Sequence, residues 1–236
     1  MKTSVVDEYN DGGHLIWSVD YLGAYVRGRT RDEALRKFPS ELTQYLAWIR
    51  GKADSQKWKF IVVQEKRSDL QICDADSDVL FDSETPSISL GDYLGLKTLA
   101  LRSAKDFEAL YRSIPDKDRP LVPLRKTFYG MVPRTAMEMY EHTKNVNSYY
   151  FHEIGVPSDN ESDIYMCRFH GFEALEKQAN FLDNNVFVGD YDEKWSLRKV
   201  CRRFVWHDRI HGKAMYRNSA GIFEETTIAN PFCFVL

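Results

Sequence analysis

Apolar positions along this chain follow two rhythms, and the change between them falls near residue 83. Before it, short stretches mix β-branched and aromatic residues as strands do. Residues 15–21 predict one strand, 58–65 a second and 70–81 a weaker third. Between the first two, Leu35, Phe38, Leu42, Tyr45, Leu46 and Ile49 recur at helical spacing. Thr30-x-x-Glu33 has the form in which a threonine and a glutamate satisfy the free N–H groups of a first turn, and Gly51 stands where the helix should end. The order strand, helix, strand, strand predicts a small sheet with one helix over one face.

Ser83-Glu84-Thr85-Pro86-Ser87 gathers turn formers and reads as a linker. Beyond it the helical rhythm prevails. Ala100, Ala104, Phe107, Tyr111 and Ile114 predict a helix over 97–114, stopped by Pro115. A second opens at Thr135-x-x-Glu138 and closes at Gly155 with Pro157 behind it. A third carries Phe172, Leu175, Ala179 and Leu182, and a fourth runs over 196–220, ending at Gly221. At ~1.5 Å per residue the second and fourth span roughly 28 and 37 Å, and helices of that length with one apolar seam each need partners to cover it. The predicted fold class is α+β: a small α/β domain over 1–83, then a four-helix bundle over 90–236.

Composition changes this picture little. The chain has 236 residues, 43% hydrophobic and 28% charged, with a net charge of −3. Residues 1–83 carry more carboxylates than cations, which disfavours nucleic acid as a partner. The run Phe60-Ile61-Val62-Val63 is far short of the ~18 apolar residues that span a bilayer, and Asp7-Glu8 interrupt the N-terminus before an apolar leader forms. A cytoplasmic protein that does not enter the membrane is expected. Cys73, Cys167, Cys201 and Cys233 show no C-x-x-C pair, so reduced thiols are expected. Cys233-Phe234-Val235-Leu236 has prenylation spacing, but the acidic residues upstream and Pro231-Phe232 favour a packed tail.

Chemistry enters through the histidines. The predicted inward seam of the fourth helix reads Leu197, Val200, Phe204, His207, His211, Ala214, and that of the second reads Thr135, Met139, His142, Val146, Tyr149. A lone core histidine is usually a hydrogen-bonded structural residue. Three in the seams of two helices need several partners at once, and one shared metal ion would serve all three. His207 and His211 lie one turn apart, a spacing that chelates, although Asp208 stands where a zinc protease has glutamate. Three imidazoles suit zinc, nickel or iron, and three ligands leave a coordination position open. Glu138 and Asp208 are candidate partners for an imidazole N–H, or else a cap and a surface charge. Trp206 and Tyr149 line a pocket or belong to the core. Cys201 is too far along the helix to be a ligand. His14 reads as a turn residue, His152 as pointing to another face of its helix, and His170 as a turn or cap.

Two resemblances add to this. Gly28-x-Thr30-x-x-Glu33-Ala34, followed by an amphipathic helix, is similar to the small domain of HicB-like antitoxins and implies a shared fold more than a shared role. Tyr129-Gly130, Thr135, His142-Thr143-x-x-Val146, Tyr149-Tyr150, Trp206-His207-Asp208-Arg209-Ile210-His211, Ala214 and Asn230-Pro231-Phe232 resemble the DinB/YfiT superfamily over about 90–236. That resemblance implies a metal-binding four-helix bundle, commonly dimeric, with His142, His207 and His211 as ligands. It also implies a metal-dependent enzyme acting on a small molecule: an S-transferase using a low-molecular-weight thiol, or a hydrolase using metal-bound water. The competing reading is a non-catalytic bundle clipped by its metal, with the N-terminal unit binding a protein partner.

Overall fold

The computed structural model describes residues 1–52, 57–127, 130–224 and 227–235. The protein is α+β, with five α-helices and a four-stranded mixed sheet among those residues. Tyr129 and Leu236, which belong to two of the motifs above, lie outside them.

The sheet has the order β3-β2-β1-β4, built from β1 (Lys2–Asn10), β2 (Gly13–Ser18), β3 (Tyr25–Gly28) and β4 (Lys59–Arg67). β1 runs antiparallel to β2 and parallel to β4. Side chains alternate across it, so Val5, Ile16 and Val26 face helix α1 (Arg31–Arg50), while Val6, Leu15 and Trp17 face the other way. α1 starts and stops where its sequence signals stand: Thr30 accepts from the Glu33 N–H, and Gly51 takes the left-handed conformation with φ 72°.

β1 and β3 are absent from the predicted strands. β1 is central yet places Asp7 and Glu8 in the interior, each fully buried. Asp7 accepts from Arg31 Nε at 2.6 Å and lies 3.0 Å from His14 Nδ1; Glu8 accepts from Ser77 Oγ at 2.5 Å. His14 therefore sits on β2, stacked on Tyr9, and is not a turn residue.

The predicted strand over 70–81 does not form. Residues 75–81 alternate buried and less buried positions as a strand would, and Ala75, Val79 and Phe81 pack under the sheet beside Trp17 and Trp206. Their carbonyls, however, are bonded by side chains. Arg203 donates to Ser77 O, Lys199 to Asp78 O, Arg202 to Val79 O and Gln64 to Leu80 O. Cations on the last helix replace the neighbouring strand.

Helix α2 (Leu90–Ser113) begins seven residues before the predicted start, at the cap Ser89. α3 (Ala136–His152) has the predicted capping box of Thr135 and Glu138. α4 (Ile164–Glu176) ends before Ala179 and Leu182. His170 lies inside it, exposed, rather than at a turn. A Cβ on the following Gly171 would come 2.1 Å from the Phe151 ring, so the glycine there permits close packing against α3. α5 (Leu197–Ala220), capped by Ser196, is buried continuously from Lys199 to Arg209 and packs against both the helices and the face of the sheet carrying Trp17. One apolar cluster joins Phe38 and Trp48 of α1 to Phe107 of α2, Met215 of α5 and Phe232 of the tail. No described helix is long and apolar enough to cross a membrane.

Candidate metal centre

α3 and α5 lie side by side, and three imidazoles meet between them. The ring centroids of His142 and His207 are 5.0 Å apart, those of His142 and His211 4.7 Å, and those of His207 and His211 4.5 Å. One ligand nitrogen from each ring lies within 4.8 Å of the others. The heptad-like spacing in α5 places His207 and His211 on successive turns of one face. The capping box of Thr135 and Glu138 fixes where α3 starts.

The structure alters how these residues sit. The buried stripe of α3 is Ala136, Met139, Tyr140, Thr143, Asn147, Tyr150 and Phe151. His142, Val146 and Tyr149 flank that stripe and are half-buried. His211 is also half-buried, whereas His207 is only 6% exposed. The cluster therefore occupies the margin of the helix pair, closed around His207 and open beside His142 and His211.

Electrostatics favour the neutral rings. Burial lowers the pKa of His207 well below the ordinary histidine value, and the neighbouring His211, His142, Arg203 and Arg168 lower it further. Burial, then His142, brings His211 to about 3; burial alone lowers His142. Neutral imidazoles have a lone pair to offer a cation. Nδ1 of His207 is enclosed without a hydrogen-bond partner among the described residues. Leaving such an atom unsatisfied costs about 1–3 kcal/mol, so the donor set and this unpartnered nitrogen both fit a divalent transition metal.

Neither acidic candidate turns toward the imidazoles. Glu138 accepts from the backbone N–H groups of Arg134 and Thr135 and is a helix cap. Asp208 is fully buried and receives two bonds from Arg168, at 2.5 and 3.0 Å. Arg168, on α4, also donates to Asn147 Oδ1 of α3 and to Ala100 O of α2, so one guanidinium ties four helices together beside His207. Cys201 is buried in the helical core with its thiol pKa raised to about 12 by burial. Trp206 packs on Trp17 of the sheet, and Tyr149 against Trp195.

Arg203 escaped the sequence reading. It precedes His207 by one turn, adds to the field that keeps that ring neutral, and lies 4.7 Å from the centroid of Trp206. The only signal was the density of cations in an otherwise apolar helix, which ordinarily marks a solvated face.

Comparison with known proteins gives no match to a family model, a curated protein or a solved structure.

Proposed function

We propose that this protein is a metal-dependent enzyme in which His142, His207 and His211 hold one divalent transition metal, zinc, nickel or iron. The observation that carries the proposal is the convergence of three imidazoles from two helices, one with a buried, unpartnered nitrogen. In this reading 90–236 is a four-helix bundle of the DinB/YfiT kind, and 1–83 is a HicB-like domain. The bound ion would supply Lewis-acid activation of a sulfur or oxygen atom. The chain's own residues do the rest. Arg168 and Asp208 hold α4 and α5 in register, so that His207 stays aimed at its neighbours. The half-buried edges of His142 and His211 leave one side of the cluster accessible to a small-molecule substrate and to a low-molecular-weight thiol. Transfer to such a thiol, or hydrolysis, is the reaction class, and a homodimer is the form the resemblance supports.

Elemental analysis of the protein purified after loading with each of the three metals tests the site. About one ion per chain is expected for one of them. His207→Ala should lose that ion and any thiol-transfer activity together while keeping the helical circular dichroism of the parent. A parent that holds no ion, or a variant that keeps it, would reject the assignment.

A second reading has its own support. β4 is an edge strand with Ile61 and Val63 exposed at 40% and 54%. Such an edge can accept a strand from a protein partner. The metal would then be a clip between α3 and α5, and the N-terminal unit an interaction module. A metal-loaded protein that is inert to thiols but captures a defined partner through β4 would favour this reading.

A further inference from the structure

α5 has a second chemically loaded face. Arg209 and Lys213 follow His207 and His211 by two residues each, which places them about 200° around the helix axis from the metal cluster. There they form one wall of a cleft of about 740 Å³, whose other walls are α1, the β2–β3 edge and the turn at Ile72–Asp74. A cleft of this size suits a small organic ligand.

The lining is cationic in a chain that is acidic overall. Seven cationic side chains line it against three carboxylates. Each carboxylate is already taken: Glu41 by Arg209 at 2.6 Å and Lys213 at 3.4 Å, Glu33 by Lys37 at 2.7 Å, and Asp74 by Arg125 at 3.1 Å. Arg27, Arg29 and Arg217 form no close ion pair with a described carboxylate, although the pKa of Glu33, lowered first by its pairing with Lys37, is lowered further by the Arg29 charge. Arg27 gives one N–H to Cys73 O. At the inner wall, Arg209 is 2% exposed and lies 5.0 and 5.2 Å from the ring centroids of Tyr45 and Trp48. Its Nη2 donates to Glu41, but its Nε and Nη1 are enclosed without an acceptor. The cleft thus holds three guanidiniums without a close ion pair and one buried guanidinium with N–H groups to spare.

We propose that this cleft binds a small phosphorylated molecule bearing at least two negative charges. Phosphate oxygens match the forked geometry of arginine, and several arginines around one cavity recognise such a group better than a single carboxylate. The β2–β3 edge carries Arg27 and Arg29, and the end of α5 carries Arg217, so the ligand would bridge the sheet to the last helix. The site is independent of the metal cluster, which lies on the other side of α5.

Calorimetric titration of the full-length, metal-free protein with pyrophosphate tests the proposal, because removing the metal removes the competing destination for that probe. Saturable binding that weakens with added salt is expected. The Arg29→Ala/Arg217→Ala double variant alters two exposed side chains and should bind about tenfold more weakly or worse at unchanged thermal stability. His207→Ala, and the distant control Lys105→Ala/Lys177→Ala, should bind like the parent. Absence of saturable binding, an equal loss in the distant control, or citrate binding as tightly as pyrophosphate would overturn the proposal. Tighter binding of a single-stranded oligonucleotide through the same arginines would overturn it in favour of nucleic acid.

Discussion

An imidazole in water takes up a proton near pH 6.5, and at the His142, His207 and His211 cluster the fold opposes this. The unfolded chain binds protons at these positions from about pH 6.5 downward, while the folded chain binds them only at lower pH. Between those limits the unfolded state holds more protons, so the stability contributed here is complete above pH 6.5 and is lost as the pH falls toward 3. Glu8 works in the opposite direction, because burial pushes its carboxyl pKa up to about 7 and the folded state holds its proton longer. The comparison must therefore be made against a variant. Thermal unfolding of the metal-free protein between pH 7.5 and 5 should show a steeper loss of stability on acidification than His211→Asn does. Parallel curves would mean that the rings are not held neutral by the fold. All three histidines were legible in the sequence as a group. Their exposure was not, since an α-helical repeat locates a seam only to within a residue or so and His142 falls just beside the buried stripe.

Between elements, buried charges form direct links. Arg168 and Asp208 are both fully enclosed, and the guanidinium also serves Asn147 and Ala100. Replacing Asp208 by alanine leaves that guanidinium buried and unpaired, which typically costs about 3–5 kcal/mol. Chemical denaturation of Asp208→Ala should show a loss of that order; a change near zero would mean that water replaces the carboxylate without penalty. α5 clasps the N-terminal region in the same way. Arg202 meets Glu84 at 2.5 and 3.0 Å and also bonds the carbonyl of Val79. This explains why residues 75–81 have the burial rhythm of a strand without becoming one. Their alternation was visible in the sequence, but the partner that would satisfy their backbone was not, because lysine and arginine in a helix read as a solvated face until something covers them.

At the scale of the whole molecule, the helix α5 that carries two of the three clustered histidines is also part of the core beneath the sheet. Apolar residues from α1, α2, α5 and the tail form one cluster, and Trp206 of α5 packs against Trp17 of β2. Calorimetry of the full chain should therefore give a single unfolding transition with equal calorimetric and van't Hoff enthalpies. Two resolved transitions would mean that the shared cluster does not couple the halves. α3 stops at His152, three residues short of the expected Gly155, but local sequence settled both ends of α1 and the start of α3, because caps and glycine stops act within a few residues. It also determined which three histidines share a helix pair. Tertiary structure alone decided that β1 is a central strand, because Asp7 and Glu8 can be interior only once Arg31, His14 and Ser77 arrive from elsewhere in the chain. It decided likewise that the cations of α5 are buried and that an arginine-lined cleft opens behind the histidines. A charge carries no mark of its eventual burial; that depends on partners many residues away, which only the folded chain assembles.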